Sequence, residues 1–294
     1  MPHIKTSDGV QLYYEETGEG TPLLFMHEFG GHYLSWEPQV RHFSRLYRCI
    51  AYAARGWPPS DVPDDVASYS QARAADDAAD VMAALGIDKA HLCGLSMGAT
   101  AALEFAIRHP GKALSLTIAA GGGGGSTDAA AKAKFKQECE SFAQRIEREG
   151  MPAMAELYCT SSARVTYRYK DPRGWGEFKQ QFADGSAKGH AMTMRGVQGG
   201  RQPFFERTAE LQKIQEPMLV IIGDEDESTH GLAVHLKENV SRCGVLEMPR
   251  TGHTMNLEEP AAFNAAMESF LHAVERDRWP ARAGKTYTLI PPSR

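Results

Sequence analysis

The sequence has no disulfide framework. Cys49, Cys93, Cys139, Cys159 and Cys243 are odd in number, scattered, and never in Cys-x-x-Cys spacing. That pattern speaks against a disulfide scaffold and against a zinc site, and sets a reducing cytoplasm as the expected compartment. No apolar run approaches the ~20 residues that a membrane span needs. The opening Met1-Pro2-His3-Ile4-Lys5-Thr6-Ser7-Asp8 lacks the apolar centre of a signal peptide. Excess positive charge is missing too: the net charge of −5 offers nothing to nucleic acid. No cluster has metal-ligand spacing, so no metal is expected, and no other cofactor is expected either. What remains is a 294-residue chain, 42% hydrophobic and 23% charged, long enough for one large core plus an insertion.

What the sequence does have is a serine set between glycines. Gly94-Leu95-Ser96-Met97-Gly98 matches Gly-x-Ser-x-Gly. Before it, Ala90-His91-Leu92-Cys93 reads as a short buried strand. After it, Ala99 to Ala106 is strongly helix-forming and stops at His109-Pro110-Gly111. Ser96 therefore falls on a sharp strand-to-helix turn. Such a turn needs glycines because neighbouring backbones come too close for a side chain. It would expose the Ser96 hydroxyl at the sheet's edge, over a helix N-terminus whose dipole favours negative charge. An ordinary turn that happens to hold a serine fits the local pattern equally; later loops favour a nucleophile.

The surrounding rhythm is strand, helix, strand, helix. Val10 to Glu16 alternates as a strand, and Pro22 to Met26 is a continuous apolar run of the doubly buried kind. Ser35 to Leu46 has helical spacing, Arg48 to Tyr52 is a strand, Tyr69 to Leu85 a helix, and Ala113 to Ala120 a strand. That order predicts an α/β fold with a mostly parallel, doubly wound sheet. It breaks at Gly121 to Gly125, which reads as a hinge or tether. Beyond it, helices are expected at Lys132 to Glu149, Pro152 to Cys159, Trp175 to Ala183 and His190 to Val197. Residues 123–213 read as an inserted helical cap, with residues 1–122 and 214–294 forming the core. The sheet resumes at Pro217 to Ile222, with Val245 to Met248 as the last strand and Asn256 to Val274 as a closing helix. Residues 275–294 are expected as an extended surface tail.

A serine at neutral pH is a poor nucleophile and needs a base, itself oriented by a third group. Asp226, just past the apolar strand, and His253, on a Gly-His loop after the last strand, are the candidates. Parallel strands end on one side, so Ser96, Asp226 and His253 would converge at one rim. The order Ser, Asp, His suits these roles on a doubly wound sheet. The neighbouring Asp224, Glu225 and Glu227 leave the choice of acid open. The backbone N–H of Met97, directly after the nucleophile, is a candidate donor to an oxyanion.

Five stretches carry a family resemblance: His27-Glu28-Phe29-Gly30-Gly31, Arg55-Gly56, Gly94 to Gly98, Gly223-Asp224-Glu225-Asp226, and Gly252 to Pro260. The chain resembles capped, carboxylesterase-like serine hydrolases of the α/β-hydrolase fold, outside the cap and tail. The resemblance implies Ser96 as nucleophile, His253 as base and Asp226 as the acid. It also implies Phe29 as the second oxyanion-hole donor beside Met97. The family pattern reads His-Gly where this chain has His27-Glu28. Glu28 is expected to pair with a nearby cation, or else to contact substrate or serve as a second acid/base; His27 is expected to order the loop. The substrate implied is a small acyl compound, an ester, lactone or thioester, handled by a monomer or homodimer without stable membrane association. Alternatives on the same fold are a C–C bond hydrolase or lyase, other cofactor-free chemistry, and a receptor-like binder. A serine at position 96 argues against epoxide or haloalkane hydrolysis through a covalent carboxylate.

Residues 127–215 hold 15 Lys/Arg against 11 Asp/Glu, whereas the rest of the chain is acidic. Arg164, Arg168, Arg195 and Arg201 are accordingly candidates for a cationic pocket wall that favours a substrate carboxylate, against the plainer reading of solvated helix charges. Met192, Met194, Trp175, Phe204 and Phe205 are read as cap core or apolar pocket wall.

Overall fold

Short apolar runs become the centre of one sheet. In the computed structural model, which describes residues 2–122 and 127–282, eight strands pair in the order β1-β2-β4-β3-β5-β6-β7-β8. They are β1 (His3–Lys5), β2 (Gln11–Thr17), β3 (Thr21–Met26), β4 (Tyr47–Tyr52), β5 (Ala90–Leu95), β6 (Ala113–Ala119), β7 (Met218–Gly223) and β8 (Cys243–Met248). The β1–β2 and β2–β4 ladders at one edge are antiparallel, and the ladders from β4 to β8 are parallel. Each parallel crossover carries its helix back across a face, so both faces are covered.

The two faces show in single strands. In β3, Leu24 packs in one core with Leu92 and Ile118, while Phe25 packs in the other with Cys93 and Ile221. Successive side chains point to opposite faces, and because both are dry the strand reads as an unbroken apolar run. One face is covered by α2 (Gln71–Ala84), α3 (Met97–Arg108) and α10 (Glu227–Asn239), the other by α1 (Glu37–Phe43) and α12 (Pro260–Glu275).

Between β6 and β7 the described residues contain helices and turns and no strand. They form α4 (Ala129–Glu149), α5 (Met151–Cys159), α6 (Ser162–Lys170), α7 (Pro172–Ala183), α8 (Ala187–Thr193) and the short α9 (Thr208–Leu211). α8 runs on into a π-helical turn at Met194–Gln198. A last short helix, α11 (Met255–Glu258), precedes α12.

Several elements differ from the sequence reading. The helix expected over 35–46 divides into a 3₁₀ turn at Tyr33–Trp36 and α1 at Glu37–Phe43, because Pro38 is tolerated only in a first helical turn. α2 starts two residues late, since the Ser70 hydroxyl accepts the Arg73 N–H at 3.0 Å and caps it. β1, α6 and α10 were not foreseen. Of the predicted tail, Trp279 packs on Phe270 and its indole donates to the Arg242 carbonyl at 2.7 Å; residues 283–294 lie outside the described residues. So do Gly123, Gly124 and Gly125 of the predicted hinge. Among the described residues no helix is long and apolar enough to cross a membrane.

Candidate active site

Ser96 sits where β5 turns into α3, with φ 54° and ψ −107°. A non-glycine residue in this region is strained, and the surroundings must over-determine it. Here they do. A Cβ on Gly98 would lie 2.0 Å from the Met26 carbonyl oxygen, and one on Gly94 would lie 2.2 Å from that of Gly98. Only glycine permits this crossing of backbones. The Ser96 N–H is tied to the Ala119 carbonyl at 2.8 Å. Its side chain makes no hydrogen bond among the described residues, and the residue is half-buried.

Asp226 follows β7 and opens α10; His253 follows β8. His253 Nδ1 lies 2.5 Å from Asp226 Oδ2, and the Ser228 hydroxyl donates to Oδ1 at 2.8 Å. Burial alone would push the Asp226 carboxyl up. The bonds from His253 and Ser228, with the charge of Arg164, bring it net below the ordinary value. It is therefore ionised at neutral pH. Of the four acids in this loop only Asp226 touches His253. Asp224 instead accepts the Thr251 N–H at 3.0 Å and holds the loop, while Glu225 and Glu227 are exposed.

His253 is anchored from an unforeseen direction. Its backbone N–H donates to the Ala163 carbonyl of α6 at 2.7 Å. Its Nε2 faces Glu28 Oε2 at 3.9 Å, and no Ser96–His253 hydrogen bond forms among the described residues. In serine hydrolases such a contact is often long without substrate.

The loop after β3 explains the His27-Glu28 pair. His27 is buried, and burial pulls its pKa down to about 3, so the ring is neutral. As a neutral ring it donates from Nδ1 to the Glu28 carbonyl at 2.7 Å and accepts the Ala54 N–H at Nε2, 3.0 Å away. Glu28 is buried, and its Oε2 takes a 2.6 Å bond from Arg164 Nη2. The same Nη2 reaches the Tyr158 hydroxyl at 2.6 Å, and the guanidinium lies 4.0 Å over that ring. Burial works against the Arg164 charge, but Tyr158 and Glu28 hold it firmly cationic. Glu28 Oε1 and Arg164 Nε are left buried without partners.

Phe29 turns its ring into an aromatic box of Trp57, Phe142, Tyr158, Phe182 and His190. The neighbouring Gly30 makes room for Tyr158, since a Cβ there would come 2.3 Å from that ring. Sequence reading missed this box, and Tyr158 with it. The N–H of Met97 opens α3 and belongs to the orphan donors of a first helical turn.

Arg168 needs correcting as a site residue. It is exposed on α6, with its guanidinium 5.0 Å from the Trp175 ring. Arg195 is committed to Glu140 and Glu147. Trp175 sits in a small cluster with Cys159 and Phe178, and Met192 and Met194 pack beside Val197, while Phe204 is buried in the sheet core.

The sequence model of the alpha/beta hydrolase family matches residues 23–266. The 3-oxoadipate enol-lactonase 1 of Acinetobacter baylyi is 26% identical over 274 residues, covering 92% of this chain and 97% of that protein. Among solved structures, a malate-bound thermophilic esterase from Thermogutta terrifontis superposes with a TM-score of 0.81 at 24% identity, covering 93% of this chain and 98% of its own. Est816, described as an N-acyl homoserine lactone degrading enzyme, superposes at 0.72 with 26% identity, covering 92% of this chain and 100% of its own. With the matched region running from the first parallel strand into the closing helix, the chain belongs to the alpha/beta hydrolase family.

Proposed function

We propose that the protein is a serine hydrolase that cleaves a small carboxylic ester, lactone or thioester through an acyl-enzyme on Ser96. The observation that carries this is the strained Ser96 elbow on the same sheet rim as the bonded His253–Asp226 pair. Ser96 attacks the acyl carbonyl while His253 Nε2 takes its proton. Asp226 holds the Nδ1–H tautomer and stabilises the imidazolium. The tetrahedral oxyanion is met by the Met97 and Phe29 N–H groups and by the N-terminal end of α3. His253 then returns the proton to the leaving group. Water attacks the acyl-enzyme by the same route, with His253 as base again. Residues 123–213 act as the cap and choose the acyl chain; the described helices α4 to α8 support this by packing Phe142, Tyr158, Phe182 and His190 around Phe29.

One observation favours a second reading. Glu28 lies on the Nε2 side of His253, where a carboxylate opposes oxyanion build-up. A His253–Glu28 proton relay without acylation, as a lyase would use, fits that placement. A burst assay with p-nitrophenyl esters, followed by fluorophosphonate labelling, separates the two. Serine hydrolysis expects turnover that vanishes in Ser96→Ala, with the label on Ser96. An unlabelled Ser96 with no turnover sinks the acyl-enzyme reading. If Glu28→Gln leaves rates and their pH dependence unaltered, the relay is excluded.

A further inference from the structure

An ion kept in a protein interior normally keeps a counter-ion, because desolvation without pairing is expensive. Four buried or partly buried arginines of this chain follow the rule. Arg55 is bridged by Asp8 and Asp77, Arg164 by Glu28, Arg195 by Glu140 and Glu147, and Arg207 by Glu104 and Glu210. Arg201 breaks it. Among the described residues no carboxylate lies within ion-pair reach, and its one hydrogen bond is a 3.5 Å contact from Nη1 to Thr100 Oγ1. Its Nε is closed to solvent and has no acceptor. Burial pulls Arg201 down to about 10, so it remains cationic at neutral pH. The Cys139 thiol nearby, pushed up to about 11 by its own burial, supplies no negative charge.

The position of this charge matters. Thr100 lies one turn below the nucleophile, its N–H bonded to the Ser96 carbonyl at 3.0 Å. Its hydroxyl donates to the Met97 carbonyl at 2.8 Å, which leaves a lone pair for Arg201. On the other flank, a Cβ on Gly122 would sit 3.3 Å from Arg201 Nη2. Gly122 follows β6 closely, and β6 ends at Ala119, whose carbonyl holds the Ser96 N–H. The guanidinium is thus wedged between the two segments that hold Ser96. One helical turn separates Thr100 from Ser96, about 6 Å along the axis.

We propose that Arg201 is the binding subsite for a free carboxylate on the substrate, and that the preferred substrate is an ester or lactone whose acyl part carries this second, ionised carboxyl about three to five bonds from the scissile carbonyl. The proposal rests on the acyl-hydrolase reading above and names the substrate class for it. A substrate carboxylate supplies the counter-ion that the fold omits. The planar guanidinium binds it through two N–H donors, which fixes the acyl chain relative to Ser96.

The test compares mono-p-nitrophenyl esters of succinic, glutaric and adipic acids with neutral p-nitrophenyl esters of equal chain length. Wild type is expected to favour at least one acidic ester by tenfold or more in kcat/KM. In Arg201→Met the acidic-to-neutral ratio falls to about one or below, and Arg201→Lys lies between. Equal ratios in wild type and Arg201→Met overturn the proposal, as does a wild type without acidic preference. Folding provides a second readout. Removing an unpaired, partly buried cation should leave Tm at or above the wild-type value; a steep fall assigns Arg201 a structural role and overturns the subsite. If no ester turns over and the fluorophosphonate leaves Ser96 unlabelled, the acyl-hydrolase reading fails by itself. Calorimetric binding of glutarate then still decides Arg201: binding to wild type and Ser96→Ala that is lost in Arg201→Met supports the subsite, and its absence from wild type overturns it.

Discussion

At the scale of single residues, the informative position is the one where the chain departs from its family pattern. Glu28 stands out in the sequence because glycine is expected there. Its partner Arg164 lies 136 residues away and could not be read from spacing. The pair is buried on both sides, with side-chain exposures of 8% for Arg164 and 1% for Glu28. Removing one charge strands the other, so Glu28→Gln should cost about 3 kcal/mol or more of stability. Replacing both, as Glu28→Gln with Arg164→Met, should recover much of that loss. Urea unfolding of the two single variants and the double one measures the coupling, and simple additivity would show that the pair does not act as a unit. Ser96 is the contrasting case. Its strained backbone follows from Gly94 and Gly98 two residues to either side, which is why that turn was legible in one dimension.

At the scale of elements, α6 is the piece that sequence reading lacked. Its buried positions are Arg164 and Tyr167, so no apolar stripe marks it as a helix. β1 has three residues, too few to show alternation. Yet α6 is what fastens the helices between β6 and β7 to the histidine loop. Ala163 takes the His253 N–H, Thr166 donates to Glu258 Oε2 at 3.1 Å, and Lys170 pairs with Glu258 at 3.0 Å and Glu259 at 2.7 Å. Glu258 Oε2 also accepts the Gly252 N–H at 2.9 Å, directly before His253. Glu258→Ala should therefore destabilise the fold by about 2–4 kcal/mol. It should also lower kcat roughly tenfold to a hundredfold through a displaced His253. Thermal unfolding and steady-state rates check this; unchanged kcat would mean that the clamp does not position the histidine.

At the scale of the whole molecule, buried neutral histidines should set the acid limit of stability. Burial lowers His27 to about 3 and His91 and His190 to about 4. Below the unfolded value of about 6.5 the unfolded chain binds protons that the folded chain refuses, so stability rises with pH in this window. Stability should be complete above about pH 7. It should fall on acidification toward pH 4, by up to about 1.4 kcal/mol per pH unit for each histidine. His230, raised by Glu247, works in the opposite sense but is more than a third exposed and screened. Urea midpoints between pH 7.5 and 4.5 test the slope, and a flat profile would contradict it.

The sequence by itself determined the parallel sheet, the serine elbow and the loops that carry Asp226 and His253. These depend on steric and periodic rules that act within a few residues, and on the fact that parallel strands end on one side. Only the tertiary structure decided that Glu28 meets Arg164, that Phe29 enters an aromatic box, that α6 clamps the histidine loop and that Arg201 stays without a counter-ion. Ion pairing and packing between distant segments depend on which backbones the fold brings together. A charge in a sequence carries no mark of whether its partner will come from the chain or from a ligand.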